Sequence, residues 1–533
     1  MTADALRWNP RVELTDQEKA LLATVKRTRR LFGFLRQYRT QLFDEAFQAE
    51  LAAVYRSTGA GKTPHPPAFM AMVVLLQMYT QTSDAEAVQR AVVDLLWQMT
   101  LDCLGATKAP FSQGSLHDFR QRLIAHDLDR RLLERTAELA KETGAFDAKK
   151  LPKTLRVAVD SKPLRGAGRV EDTLNLLGHA ARDIVRCVAS LLDETPEEIA
   201  RAAKIPLLLE SSTKLALDTD WTDPKQKGKA LQRLLRQLGN LVQYVRSRLP
   251  DEAAQPPLSA HLETLQQFID QDLEPDPDDP TGKKKRIRKG VAKDRRISVR
   301  DPDMRHGRKT RSKPFNGFKQ HVAIDLDSRL VLACAVLSAN RREFDALPDI
   351  KGDISRYDRQ LAELQVDRGY ITPEFLFEAA NDTVEVLSKP RQMPPNNGRF
   401  TKRDFKFDLR SKTVTCPAGQ QQPFRPGEQV HFDEEVCHGC RLRSSCTSAK
   451  RGRAMQIPRD EVAQQRFLRL VKTKAGRQRL RGRIAVEHRL AHLKQKQGDQ
   501  ARYIGGRANL YDLRRAGAVL NLEIIQFQLG IAA

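Results

Sequence analysis

The chain lacks any apolar run approaching the ~20 residues of a membrane helix. Its opening residues, MTADALRWNP, do not show the basic-then-apolar pattern of a secretory leader. Cysteine is scarce: seven in 533 residues do not make a disulfide scaffold, so a reducing, cytoplasmic setting is expected. No internal repeat is visible. Acidic residues are outnumbered, 67 Asp and Glu against 91 Lys and Arg, which leaves a formal charge of +24 and a pI near 9.8. Hydrophobic residues make up 40% and charged residues 30%, so real cores are affordable beneath an ionic surface. An excess of positive charge this large points to a polyanionic partner, of which nucleic acid is the usual one; plain solubility is the bland reading. The length predicts two to four domains.

Helical periodicity dominates residues 15–145. The runs DQEKALLATVKRTRRLFGFLRQY, PPAFMAMVVLLQMYTQ (opened by Pro66 and Pro67) and SDAEAVQRAVVDLLWQMTLDCLG (capped by Ser83 or Asp84) are each expected to be helical. A turn around Gly114 then leads into a helix carrying Arg120 and Arg122. Short helices with basic residues on the last one suit a helix-turn-helix DNA reader, and a plain helical bundle serves equally well. At residue 155 the pattern changes to the strict alternation of LRVAVD. Residues 171–271 return to helical periodicity. Residues 272–296 switch from acidic to basic without apolar periodicity, as a charged linker would. Ten Lys and Arg lie between Lys283 and Arg300 with a single acid, Asp294. They are a solvated stretch or a phosphate-tracking arm. FKQHVAIDL and RLVLACAVL read as a hairpin turning at Asp327-Ser328, followed by a helix near 343–360, a strand LAELQVD, a helix FLFEAA and a strand TVEVLSK. The order predicts an α/β domain with a mixed sheet. Residues 391–455 are irregular and cysteine-bearing, and the chain is expected to be helical from about 459 to its end.

Three carboxylates stand out. Asp160 and Asp367 each close an apolar strand, LRVAVD and LAELQVD, on the face opposite the buried residues. Strand exits in α/β sheets are where sites form, although a single such Asp is more often a turn former. Glu487 is the one acid between Glu461 and Asp499, in a run rich in Lys and Arg. At helical spacing Arg483, Glu487 and Lys494 fall within about 40° of each other. An ordinary ion pair of Arg483 with Glu487 explains the pair, but not a lone acid in so basic a run. Carboxylates beside cations suit phosphodiester chemistry: hard ions such as Mg²⁺ take oxygen ligands, and the cations hold phosphates.

This constellation resembles the DDE transposases of bacterial insertion sequences. VAVDSKP matches the context of that family's first Asp, and Asp367-Arg368-Gly369-Tyr370 that of its second. Arg483, Glu487 and Lys494 match its Arg-x3-Glu-x6-Lys helix, with Leu480 standing where the signature has Tyr. GFKQHVAIDLDSRLVLACAVLSANRREFDALPDI is similar to its second and third strands and the following helix. The resemblance implies a ribonuclease-H-like catalytic domain formed by residues 151–170, 297–390 and 456–533, with a helical N-terminal DNA-binding domain over 1–150, a helical insert and a cysteine-bearing insert. It implies Asp160, Asp367 and Glu487 as catalytic ligands of Mg²⁺ or Mn²⁺. Arg483, Lys494, Lys162, Arg368, Arg120 and Arg122 are expected to contact DNA. Double-stranded DNA at the element ends and target is the implied partner, bound by a homodimer. An inactive DNA-binding descendant and a nuclease of the same fold are the competing readings. Asp345 lies near a position often polar in such enzymes and receives no role.

Cys416, Cys437, Cys440 and Cys446 form the remaining motif. Cys437-His-Gly-Cys440 has the spacer of a zinc knuckle, so a structural Zn²⁺ is weighed against plain reduced thiols, with His431 and His438 as spare ligands. Cys103, Cys187 and Cys334 are in apolar settings and read as core. The C-terminal ANLYDLRRAGAVLNLEIIQFQLG is expected to pack on the catalytic domain, or to form a dimer interface.

Overall fold

The computed structural model describes residues 6–25, 29–55, 63–146, 151–310, 312–393 and 396–530. Its centre is a mixed sheet of six strands. Leu155–Arg165 lies in the middle, antiparallel to Lys313–Asp325 on one side and parallel to Leu361–Gln365 on the other. Glu385–Leu387 continues the parallel half, while Arg305–Thr310 and Val331–Ser338 both pair antiparallel along the far edge of Lys313–Asp325. The hairpin, the parallel strands and their intervening helix Pro373–Asn381 all follow the expected order. Arg305–Thr310 was not legible: its RHGRKT is polar, and it is a strand because its partner's ladder is free there.

The first long helical run is in fact two helices, Asp16–Thr24 and Arg30–Leu42, with Arg29 in the left-handed region; the intervening residues 26–28 lie outside the described residues. Pro67–Thr80 begins at its proline, as expected, and twelve of its residues are buried, consistent with an apolar sequence on all faces. Ser83, not Asp84, caps Asp84–Val93, through a capping box with Glu86. Asp84 is thereby free to bind Arg120. The turn expected at Gly114 comes earlier: Ser112 caps Gln113–Ala125, and Gly114 lies in its first turn.

The N-terminal helices do not have a core of their own. One apolar cluster runs from Trp8 through Phe34, Leu75 and Trp97 to Val157, Val322 and Val331 in the sheet and Leu513 and Ile525 in the C-terminal helix. That helix, Gly506–Gln528, is buried along most of its length, between the sheet and the helices before it. Most of its buried charged and amide side chains are therefore partnered inside, while the buried Tyr511 hydroxyl has no hydrogen-bond partner. Arg514 binds Asp127, Asp129 and Asp353. Asn521 supplies a strand's worth of pairing to the sheet edge: its Oδ1 accepts from the Val331 N–H at 2.7 Å and its Nδ2 donates to the Val331 carbonyl at 2.9 Å.

The insert, from Thr173 to Asp272, has a separate core built on Leu177, Ile184, Leu234, Leu241 and Phe268. Its two ends are tied together where Asp272 accepts from Thr173 Oγ1 and pairs with Arg295 at 2.6 Å. The segment expected to be an irregular linker instead contains a short hairpin, Leu273–Pro275 with Lys285–Ile287. The cysteine segment folds around a third, small core that includes Val414, Phe432 and Ile457. Its three-residue strands were unreadable because they are too short to show a period.

Replacing Asn521 by Ala leaves the buried Val331 amide and carbonyl unpaired. A loss of about 2 kcal/mol in unfolding free energy is expected from two such orphaned groups; denaturant titration of the pure protein measures it, and an unchanged midpoint would refute the role.

Candidate active site

The strand LRVAVD does not stop at Asp160. It runs on to Arg165 because Lys313–Asp325 continues to pair with it, Asp160 lying opposite Val322 and Arg165 opposite Gly317. On its other side the parallel neighbour pairs only as far as Ala158 with Gln365. Asp160 thus comes just beyond the end of that neighbour, and Asp367 two residues past Gln365. The two carboxylates converge because one strand ends where the other continues.

Glu487 arrives on the helix Ile484–Gln497, whose Val486, Leu490 and Leu493 are buried against the body of the protein. Arg483 lies one turn earlier, in the 3-10 turn Arg481–Arg483. Its guanidinium reaches all three acids. Nη1 donates to Asp367 Oδ1 at 2.6 Å, Nη2 donates to Asp160 Oδ2 at 3.3 Å, and Nη2 is 3.9 Å from Glu487 Oε1. The Arg483 side chain is 9% exposed, against 17% for Asp160, 47% for Asp367 and 57% for Glu487. Burial pushes the Asp160 carboxyl above the usual carboxylate range. Asp367 and Glu343 add to the rise, while Arg483 and the Ser161 N–H hold it back. Burial alone would depress Arg483, but Asp367 and Asp160 carry it above its ordinary value.

A fourth carboxylate, not singled out in the sequence, completes the group. Glu343 accepts from Ser161 Oγ at 2.6 Å, immediately beside Asp160. Glu343 lies close over Gly369 of the Asp-Arg-Gly-Tyr motif: a Cβ there would come 1.9 Å from Glu343 Oε2, so any larger residue would move that carboxylate. Its Tyr370 is buried, with its hydroxyl 2.7 Å from His321 Nδ1. Burial pushes that histidine down to about 3, so it is neutral. Asp345 is instead paired with Arg341 at the surface of the next turn.

The cations expected to touch DNA divide into distinct groups. Arg483 is spent on the carboxylates. Lys494 is half-exposed and pairs with Asp499 at 2.9 Å. Arg368 donates to the Pro390 carbonyl at 2.7 Å, and Arg122 lies over the Tyr55 ring. Two expectations need correction. Arg120 is 5% exposed, binding Asp84 and the Tyr503 hydroxyl inside the protein, so it holds the helices together. Lys162 has a buried Nζ with no hydrogen-bond partner, because its strand extends into the interior; burial pushes it down to about 8. Tyr503 and Tyr511 are also interior contacts, edge to face with each other.

Cys416, Cys437, Cys440 and Cys446 line one cavity of about 390 Å³. Backbone amides point at two of the thiols, Gln420 N at Cys416 Sγ (3.3 Å) and Leu442 N at Cys440 Sγ (3.4 Å). Among the described residues no three His, Cys, Asp or Glu side chains are gathered closely enough to hold an ion. The zinc expected here thus rests on spacing and on the shared cavity. Among the described residues, no helix is long and apolar enough to cross a membrane.

Comparison with protein families gives two matches. Residues 25–122 match a transposase domain (DUF772), and residues 415–525 match a transposase DDE domain. Both matches support a DDE transposase of an insertion sequence. The DDE-domain match spans Arg483, Glu487 and Lys494 together with the four cysteines; Asp160 and Asp367 precede it. No curated protein and no solved structure matches the chain.

The raised Asp160 carboxyl has a consequence for stability. The folded state keeps this proton to higher pH than the unfolded chain does. The associated stability is therefore complete below the ordinary carboxylate range and lost as pH rises through the raised value. Asp160→Asn removes that loss. The variant is expected to resist denaturant better than the wild type at about pH 8, with the difference shrinking toward about pH 3. A difference independent of pH would contradict the burial argument.

Proposed function

We propose that the chain is an active transposase. In this reading it binds the terminal inverted repeats of its element and catalyses metal-dependent DNA cleavage and strand transfer. The observation that carries the proposal is the convergence of Asp160, Asp367 and Glu487, distant in sequence, on a single guanidinium. The sheet supports a ribonuclease-H-like reading: three antiparallel strands lie on one side of Leu155–Arg165 and two parallel strands on the other, with Asp160 just past the end of the parallel neighbour and Asp367 two residues beyond that neighbour's last strand residue.

Asp160, Asp367 and Glu487 offer hard oxygen donors, and Mg²⁺ or Mn²⁺ is the kind of ion they suit. When bound, such ions lower the pKa of a water nucleophile and relieve charge on the leaving oxygen. The chain's own residues do the remaining work. Among the described residues the three acids are not yet gathered closely enough to hold an ion, and Arg483, between Asp160 and Asp367 and farther from Glu487, offsets part of their mutual repulsion until other positive charge arrives. Once released, its guanidinium can take a phosphate in bidentate fashion. Ser161, hydrogen-bonded to Glu343, holds the strand beside Asp160, and Glu343 lies against Gly369 of the second Asp's motif. Water attacks phosphorus at the element end and the P–O3′ bond breaks, leaving a 3′ hydroxyl. That hydroxyl then attacks a target phosphodiester, and the target's own 3′ oxygen leaves.

A labelled duplex carrying the element's inverted repeat tests this, with Mg²⁺ or EDTA. Wild type is expected to nick at the repeat boundary with the metal alone. Asp160→Ala, Asp367→Ala and Glu487→Ala should lower the rate by about 10³-fold or more while still binding the duplex. Binding without nicking in any metal favours an inactive DNA-binding protein. Nicking without joining to target DNA favours a nuclease.

A further inference from the structure

The insert carries a charged surface that the catalytic reading leaves unused. Its longest helix, Pro224–Arg248, contains seven Lys and Arg and no Asp or Glu. At 100° per residue Lys225, Lys229, Arg233 and Arg236 fall in a stripe about 80° wide, opposite the buried Leu234, Leu241 and Val245. The four are exposed, and none forms an ion pair or side-chain hydrogen bond among the described residues. Cations left unpaired in a chain that pairs most of its buried ones are free for an outside partner.

Two glycines add an independent observation. Gly228 and Gly239 are exposed, within about 20° of one line along the helix and beside the stripe. A Cβ at either would meet nothing within 4 Å, so packing inside the protein does not require glycine there. Glycine in a helix interior is unfavourable relative to alanine. What it permits is close approach of another backbone. The helix also ties down the neighbouring hairpin, Gln232 Nε2 donating to the Lys285 carbonyl at 2.6 Å, and the exposed Lys283 and Lys284 add positive charge there beside the acidic turn of Asp276, Asp278 and Asp279.

We propose that this face of Pro224–Arg248 is a second DNA-binding surface, which holds the sugar-phosphate backbone of duplex DNA outside the active site. The inference rests on the transposase reading for the presence of DNA. A helix of 25 residues is about 37 Å long, close to one turn of the duplex. An anionic membrane is a poorer occupant, because the helix's apolar side is committed to the insert's core and cannot enter a bilayer.

The test uses the full chain and a labelled duplex of unrelated sequence, with affinity measured across a salt series. A variant with Lys225, Lys229, Arg233 and Arg236 all changed to Gln is expected to flatten the slope of log K against log salt by roughly 3 to 4. Metal-dependent nicking of the inverted repeat by the same variant should persist at saturating protein. Gly228→Ala with Gly239→Ala should bind DNA several-fold more weakly while melting at higher temperature, opposite signs that a purely structural role would not produce. Unchanged slope and affinity in both variants, with normal nicking by the wild type, would overturn this surface and leave the transposase reading intact. A wild type that neither binds nor nicks duplex DNA would overturn the underlying reading instead. Preference of this face for single-stranded RNA would overturn DNA as its occupant.

Discussion

Carboxylates brought within reach of one another repel, and in a half-buried site they can stay ionised together only if a cation stands among them. Arg483 is that cation. It joins a mid-sheet strand through Asp160, the end of a parallel strand through Asp367, and the head of a helix through Glu487. The position of the helix relative to the sheet is therefore an electrostatic matter as much as one of packing. Gly482, next to Arg483, lies against the Gln365 side chain, where a Cβ would come within 3.0 Å of Oε1. Glu343 extends the same constraint, reaching Asp160 through Ser161.

Beneath this site runs a second polar system, interior except at Asp84. Gln320, on the strand beside Asp160, donates to Gln497 at the end of the Glu487 helix. Gln497 donates to Asp512, which accepts from Arg515; Arg515 donates to Gln77, and Gln77 to Asp84, which binds Arg120. Sheet, active-site helix, C-terminal helix and N-terminal helices are linked by one continuous chain of hydrogen bonds. Buried charges cost much to desolvate, and such a chain is tolerable only when its members find partners. This is why Arg120, basic and on a helix that looks like a DNA reader, is an interior residue. It also makes the N-terminal helices part of the body that carries the candidate site, as the shared apolar cluster does.

The insert and the cysteine segment stand apart from that body, each on its own core. The contrast in how charge is used follows. In the main body most buried arginines are consumed by acids, whereas on the insert's long helix the cations face outward without partners. One arrangement specifies a structure, and the other leaves a field available to an anionic polymer.

Local pattern in the sequence determined much of this protein. Apolar alternation marked the central strands, helical periodicity marked Pro67–Thr80 and the insert, and the isolation of Glu487 among cations marked the active-site helix. Each is decided by neighbours a few residues away, so each is legible in one dimension. Tertiary structure alone decided the rest. Asp160 lies mid-strand because a partner 160 residues later continues to pair with it. Glu343 joins the site because the fold sets it beside Ser161 and over Gly369, residues of two other segments. Arg120 and Lys162 turn inward because their elements pack against surfaces the sequence does not disclose. A side chain's type shows which interactions it can make. Which of them it does make depends on what the fold brings beside it and on whether water remains there.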